Sequence, residues 1–140
     1  MIRKTGSARW EGRLRDGKGT VNSQSGALRG LPYSFATRFE GLSGTNPEEM
    51  IAAAHASCFS MALAGALEAA GLSPRSVETT AEVTLEKQEA GFTITRSHLV
   101  TAIEADGAKD AILAAADKAK ATCPISRLLR AEITLEARVL

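Results

Sequence analysis

The stretch TNPEEMIAAAHASCFSMALAGALEAAGLSP, residues 45–74, decides the fold that the rest of the sequence predicts. At its start, Thr45 or Asn46 can supply an N-cap oxygen, and Pro47 suits the first position of a helix. At its end, Gly71 can adopt the left-handed conformation that caps a helix, and the proline three residues later prevents continuation. The stretch therefore predicts one long helix with defined ends.

The predicted helix runs from about Pro47 to about Ala70 and carries Cys58 in its middle. Between Glu49 and Glu68 it contains no Asp, Glu, Lys or Arg, and alanine, serine and glycine make up most of its surface. A helix that is apolar or small on every side is typical of a buried helix. We therefore expect this helix to form the core of the fold, with the cysteine about three turns inside it.

Alternating apolar and polar residues predict strands on both sides of this helix. Three strands precede it, at about residues 5–15, 20–23 and 27–39; three follow it, from just after residue 74 to a turn at 89–91, at about 92–105 and at 131–139. Two further helices are expected at about residues 108–121 and 124–130, separated by Cys123-Pro124. The order βββ-α-ββ-α-α-β predicts an α+β fold, and residues 1–140 are expected to form a single domain with a long central buried helix.

The composition argues against several kinds of partner. There are 17 basic and 16 acidic residues, and a net charge of +1 gives no electrostatic reason to bind nucleic acid or an anionic membrane. No apolar run reaches 18 residues without a polar interruption, and the opening residues lack the apolar segment of a signal peptide. We expect a cytoplasmic protein, where two cysteines are more often reduced, catalytic or redox-active than a permanent disulfide.

The two cysteines, Cys58 and Cys123, allow three interpretations. They are too far apart in sequence for a CxxC motif or a local zinc knuckle, and both could be buried thiols that behave as small apolar side chains. They could also bind a metal together with His55, which shares a helix face with Cys58 at i and i+3. Finally, one could be oxidised by a peroxide to a sulfenic acid and the other could condense with it to a disulfide.

The peroxide interpretation requires a thiolate at Cys58, although burial raises the pKa of a thiol. The helix dipole fades within the first turn, so it does not reach this cysteine, and a nearby cation is needed instead. Arg38, in FATRFE just before the helix, is the best candidate, because a guanidinium can hold a carboxylate with one edge and a thiolate or peroxide with another. A solvated strand residue is the alternative interpretation of this arginine.

Three segments carry a resemblance to a known family: YSFATRFEG at residues 33–41, GTNPEEMIAAAHASCFSMAL at 44–63 and KAKATCPISRLLRAEITL at 118–135. With these separations, the sequence resembles the OsmC branch of the OsmC/Ohr family of thiol peroxidases from about Arg3 to Val139. The resemblance implies an OsmC-like α+β fold and an intertwined homodimer. It also implies reduction of hydroperoxides by a cysteine pair, without metal, flavin or other cofactor.

The resemblance also implies roles for individual residues. Cys58 matches the family's peroxidatic cysteine and Cys123 its resolving cysteine. Glu48, in the NPE motif, matches the family's glutamate, and Arg38 matches the arginine of this branch. In the sister Ohr branch the arginine comes from the N-terminal sheet, which makes Arg15 the second choice.

The spacing of Glu48 and Cys58 has a geometric consequence. Ten residues of straight helix separate them by about 15 Å and about 80° of rotation, so they do not touch within one chain. If a pair of Arg38 and Glu48 controls the thiolate, part of it must come from a second copy of the helix. This predicts a homodimer with active sites at the subunit interface.

The predicted reaction is reduction of organic hydroperoxides, and more slowly of hydrogen peroxide, through a Cys58 sulfenate and a Cys58–Cys123 disulfide. An external reductant, a small dithiol or a lipoyl protein, would then restore the thiols. The alternative from another class is a redox-sensing or ligand-binding dimer in which the same disulfide changes the shape without turnover.

Other polar and aromatic residues are expected to have structural roles. His55 and Ser60 lie near the central cysteine along the helix, and we expect a buried, hydrogen-bonded histidine and a packing serine. The N-terminal aromatic residues are expected to build core or the apolar wall of a substrate pocket: Trp10, Tyr33, Phe35 and Phe39.

Overall fold

A computed structural model describes all 140 residues and has the predicted elements with one added helix. The strands are β1 (Gly6–Glu11), β2 (Lys18–Ser23), β3 (Leu31–Tyr33), β4 (Ser73–Gln88), β5 (Gly91–Asp106) and β6 (Glu132–Val139). The helices are α1 (Phe35–Phe39), α2 (Pro47–Ala69), α3 (Lys109–Thr122) and α4 (Pro124–Leu128). The α+β class is confirmed. The chain divides into two compact units, residues 1–50 and 51–140, and the expectation of one domain over 1–140 stays a prediction.

In the first unit, the three strands expected before the central helix, β1, β2 and β3, form an antiparallel sheet in sequence order. The third strand is shorter than predicted, because the chain turns into α1 directly after Tyr33. Ser34 caps this helix: its hydroxyl accepts from the Thr37 N–H at 3.2 Å, and the Thr37 hydroxyl accepts from the Ser34 N–H at 2.9 Å. This reciprocal capping box satisfies two backbone donors and favours a helix over continued extension.

Both predicted ends of the central helix α2 are confirmed. At the start, the Asn46 side-chain oxygen accepts from the Glu49 N–H at 2.8 Å, so Asn46 rather than Thr45 is the cap. At the end, Gly71 has a φ of 75° and the Leu72 N–H donates to the Leu67 carbonyl at 2.9 Å. A residue with a side chain is disfavoured at that φ, which explains why glycine ends the helix here.

In the second unit, β4 and β5 form a long antiparallel hairpin with the turn at the predicted position. A register shift beside Arg96 marks a β-bulge in this hairpin. The last strand, β6, pairs with β5 in parallel, from Arg96 opposite Glu132 to Ile103 opposite Val139. Parallel neighbours need a crossover connection, and α3 and α4 provide it.

The core of the second unit lies between the inner face of this sheet and helices α2 and α3. Its members are fully or almost fully buried: Phe59, Leu63 and Leu67 from α2, Leu99 and Ile103 from β5, Ile112, Ala115, Ala116 and Ala119 from α3, and Cys123. Because the buried side chains of α3 are mostly alanines, the backbone of this helix can pack closely against the rest of the core. Alternate residues of β6 also pack against this core: Ile133, Leu135, Ala137 and Val139.

In the single chain, burial of α2 is confined to one stripe. The buried residues recur at four-residue intervals: His55, Phe59, Leu63 and Leu67. On another side, Met61 is 79% exposed although the helix is apolar all round. By length and composition α2 also meets the criteria of a membrane-crossing segment, which core helices of soluble proteins meet as well. One chain thus covers one side of a helix whose sequence is suited to contact on several sides.

Candidate active site

The two cysteines occupy different backbone settings within the second unit. Cys58 lies in the middle of α2 and is half-buried, whereas Cys123 is fully buried at the break between α3 and α4. Cys123 ends α3 and precedes Pro124, the first residue of α4, with an extended ψ of 127°. The predicted helix break at this cysteine is confirmed, and its cause is the proline that disfavours helical geometry in the residue before it. Both cysteines are free thiols.

The Cys58 thiol lies beside two groups of the segment that begins at Cys123. One is the Cys123 thiol and the other is the backbone N–H of Ile125, in the first turn of α4. Burial raises the pKa of the Cys58 thiol, the neighbouring thiol raises it further, and the Ile125 N–H lowers it by stabilising the thiolate. The raised pKa means that this thiol needs an additional positive charge to ionise near neutral pH.

His55, one turn before Cys58 on α2, connects three elements of the second unit. Its ring is fully buried, with Nδ1 at 2.7 Å from the Ser97 hydroxyl of β5 and Nε2 at 2.8 Å from the Ser126 hydroxyl of α4. Burial lowers the pKa of His55, so the ring is neutral, and one nitrogen donates while the other accepts. The expectation of a buried, hydrogen-bonded histidine is confirmed.

Two serines that complete this network did not stand out in the sequence. Ser97 shares the inner face of β5 with Leu99, so strand alternation placed it inside. Ser126 follows Cys123 by three residues and lies in the short helix α4. Ser60, by contrast, packs as expected and donates a hydrogen bond to Thr79 at 2.9 Å.

The structure does not gather the ligands of the metal site considered from the sequence. Both ring nitrogens of His55 are engaged by serine hydroxyls. Nowhere in the chain do three or more His, Cys, Asp or Glu side chains come together in an arrangement that could hold a metal ion.

Arg38 and Glu48 form an ion pair within the first unit. The Arg38 Nε donates to both carboxylate oxygens of Glu48 at 3.1 Å, and Nη2 donates to Oε1 at 2.6 Å. Arg38 lies in the last turn of α1 and Glu48 in the first turn of α2, where the helix dipole favours a carboxylate. The sequence had allowed a solvated strand residue at position 38, and the structure instead has a helical arginine held by a carboxylate.

The same unit contains an apolar cavity of about 260 Å³ beside Arg38. Its lining includes the four aromatic residues expected to build core or a pocket wall: Trp10, Tyr33, Phe35 and Phe39. The rings pack in two pairs, with centroids 5.4 Å apart for Trp10 and Tyr33 and 4.8 Å apart for Phe35 and Phe39. The alternative arginine, Arg15, stacks over the Phe35 ring at 4.7 Å.

Comparison of the sequence with known proteins gives consistent relatives. The profile of the family described as OsmC-like protein matches residues 40–138. Peroxiredoxin OsmC of Escherichia coli strain K12 is 52% identical over 139 residues, which cover 96% of this chain and 95% of that protein. The uncharacterized protein YmaD of Bacillus subtilis is 32% identical, over 94% of this chain and 91% of its own length.

Solved structures share the fold over almost the whole chain. The organic hydroperoxide resistance protein OhrB of Bacillus subtilis superposes with a TM-score of 0.76 at 26% identity, covering 99% of this chain and 98% of its own. An organic hydroperoxide resistance protein of Elizabethkingia anophelis has a TM-score of 0.73, also at 26% identity, covering 99% and 96%.

Proposed function

Because this chain belongs to the OsmC family, we propose that it reduces hydroperoxides through a Cys58 sulfenate and a Cys58–Cys123 disulfide. The 52% identity to a peroxiredoxin identifies the enzyme class as a thiol-dependent peroxidase, and the α+β architecture is the OsmC-like fold. The single observation that carries the proposed mechanism is the proximity of the Cys58 and Cys123 thiols, which are close enough for Cys123 to raise the pKa of Cys58.

In the proposed reaction, the Cys58 thiolate attacks one oxygen of the O–O bond of ROOH and takes it up as a sulfenic acid. The leaving alkoxide gains a proton and departs as the alcohol ROH. The Cys123 sulfur then attacks the Cys58 sulfur, an S–S bond forms, and the sulfenic oxygen leaves as water. A dithiol outside the protein reduces the disulfide by thiol–disulfide exchange and is itself oxidised to a disulfide.

Arg38 and Glu48 are proposed to act together on the thiolate and the peroxide. Glu48 holds Nε and one Nη of the guanidinium, which leaves the other donors of the fork free for an anionic sulfur or a peroxide oxygen. Since about 15 Å of helix separates Glu48 from Cys58, we propose that this pair serves the cysteine of a partner subunit in a homodimer. The exposed apolar side of α2, including Met61, suits the contact with a second α2.

The proposed substrates are organic hydroperoxides, with hydrogen peroxide reduced more slowly. The support for this preference is the apolar cavity lined by Trp10, Tyr33 and Phe35, with Arg38 at the same cavity. An alkyl or acyl chain gains free energy by leaving water for such a surface, whereas hydrogen peroxide has no apolar part to bury. Two of the similar structures are those of organic hydroperoxide resistance proteins.

We further propose that the enzyme works in the cytoplasm and that a small dithiol or a lipoyl protein reduces its disulfide. The near balance of 17 basic and 16 acidic residues favours neither a nucleic acid nor an anionic membrane as a partner.

The test is a coupled assay of tert-butyl hydroperoxide consumption with dihydrolipoamide as the reductant. Wild type should turn over many times, Cys58→Ser should be inactive, and Cys123→Ser should slow or stop as Cys58 overoxidises to sulfinic acid. Hydrogen peroxide in the same assay should give a lower kcat/KM than the organic peroxide. Undiminished turnover in Cys58→Ser would exclude the mechanism, and a wild type that stops after one equivalent of peroxide would favour the redox sensor.

A further inference from the structure

The buried contacts of His55 do more than satisfy its two nitrogens. The ring lies between α2, which carries Cys58, and α4, which carries Ser126 and the Ile125 N–H. The Nε2–Ser126 bond joins residues 71 positions apart, and the Nδ1–Ser97 bond joins residues 42 positions apart. A single side chain therefore ties the helix of one thiol to the helix beside the other and to the sheet behind both.

Apart from Ile125, which packs against the core, the short helix α4 has few other contacts that hold it in place. It has only five residues, its N-cap Cys123 makes no side-chain capping bond, and Leu128 at its end is 72% exposed. Helices this short are not stable by themselves and depend on tertiary contacts. Within α4, Ser126 is the buried residue, and its hydroxyl is bonded to His55. Loss of that bond would remove the hydrogen bond that ties α4 to α2 and leave only the apolar packing of Ile125.

We propose that His55 is a positioning residue for the thiol pair: through Ser126 it holds α4 so that the Ile125 N–H and the Cys123 thiol stay at the Cys58 sulfur. Cys123 and Ile125 belong to one short segment, and Ser126 directly follows them. A single hydrogen bond at Ser126 therefore positions both groups that lie beside the Cys58 sulfur. In this role, the buried histidine of the proposed peroxidase orients the two thiols and takes no part in proton transfer. The catalytic purpose of this positioning rests on the proposed function, whereas the positioning itself concerns only the two thiols.

The two ring nitrogens can be tested separately with amide side chains. The amide of glutamine lies as far along the side chain as Nε2 and can bond Ser126, whereas the amide of asparagine lies as far as Nδ1 and can bond Ser97. His55→Gln should therefore keep the link to α4, and His55→Asn should lose it. Ser126→Ala removes the same link and leaves the His55 ring in place.

The measurement is the rate of Cys58–Cys123 disulfide formation in the reduced protein with stoichiometric diamide. Diamide takes two electrons and two protons from the thiol pair and becomes a hydrazine, so no peroxide is involved. His55→Asn and Ser126→Ala should form the disulfide about tenfold more slowly than wild type, the factor expected for one net hydrogen bond. His55→Gln should stay within about twofold of wild type, as should Ser60→Ala, which loses a hydrogen bond of α2 to β4 and not to α4.

A second readout follows the fate of Cys58 after excess tert-butyl hydroperoxide, measured by mass spectrometry of the intact protein. His55→Asn and Ser126→Ala should accumulate sulfinic acid at Cys58, because the sulfenic acid waits longer for the second thiol. Equal slowing in His55→Gln and His55→Asn, or wild-type rates in a folded Ser126→Ala, would overturn the proposal. If the protein proved not to be a peroxidase, the diamide rates would still decide the role of His55.

Discussion

Replacing Arg38 by lysine tests whether the geometry of the guanidinium, rather than its charge, is needed for activity. In the structure, two guanidinium nitrogens meet the two oxygens of Glu48, so the carboxylate fixes the plane of the fork. Lysine keeps the positive charge but offers it from a single nitrogen, which cannot hold the carboxylate with one edge and present another to a peroxide. Arg38→Lys therefore keeps the charge and removes the fork.

The expected loss follows from the contacts. A hydrogen bond to a charged group contributes about 1.5–3 kcal/mol, and the Arg38 side chain is 36% exposed, so solvent screening favours the lower part of that range. A loss of about 1.5–2 kcal/mol in the transition state corresponds to a decrease in kcat/KM of about 10- to 30-fold. The decrease should appear in kcat/KM for tert-butyl hydroperoxide and not in the amount of folded protein.

The assay is steady-state peroxide consumption with dihydrolipoamide, and Arg15→Lys is the matched control. Arg15 stacks on Phe35 and forms no salt bridge, so its replacement should leave kcat/KM within about threefold of wild type. Arg38→Lys with activity within twofold of wild type would refute the need for the fork. A larger loss in Arg15→Lys than in Arg38→Lys would identify Arg15 as the active-site arginine.

Three further predictions concern stability and assembly. Burial lowers the pKa of His55 below its ordinary value of 6.5. Its contribution to the free energy of unfolding is therefore present above that pH and lost as the pH falls through the folded pKa. Urea titrations at several pH values should show this loss, with a flatter profile in His55→Gln. Leu63→Ala should lower the free energy of unfolding by about 2–5 kcal/mol, because Leu63 is fully buried, and a loss below about 1 kcal/mol would contradict the described core. Met61→Glu should convert the proposed homodimer to monomer in light scattering while Met61→Leu stays dimeric, and a dimer that survives the glutamate would exclude this face of α2 as the interface.

The sequence was most informative where the signal is local. The ends of α2 depend on Asn46 and Gly71, whose effects act within a few residues, and both ends were predicted to within one residue. The strands β4 and β6 follow from simple alternation because one face of each packs on the core. The juxtaposition of Cys58 with Cys123 followed from family resemblance and not from any local pattern.

Features that depend on distant residues could not be predicted in the same way. Helix α1 has five residues, too few to show a helical period, and aromatic residues favour strands, so Phe35 and Phe39 suggested extension. The parallel pairing of β6 with β5 leaves no mark in either strand alone. The partners of His55 lie 42 and 71 residues away, although the alternation of β5 did place Ser97 on the buried face.

The parallel pairing of β6 has a consequence for how the protein is made. Cys123 lies in the crossover that joins β5 to the last strand, so a ribosome that has just added Cys58 must still add 65 residues before the second thiol exists. During that interval, an oxidised Cys58 in the nascent chain can only react with a thiol from another molecule or oxidise further. Under the proposed mechanism, protection of Cys58 is therefore a property of the finished chain, and cells translating the protein under peroxide stress should produce a fraction that is damaged before it folds.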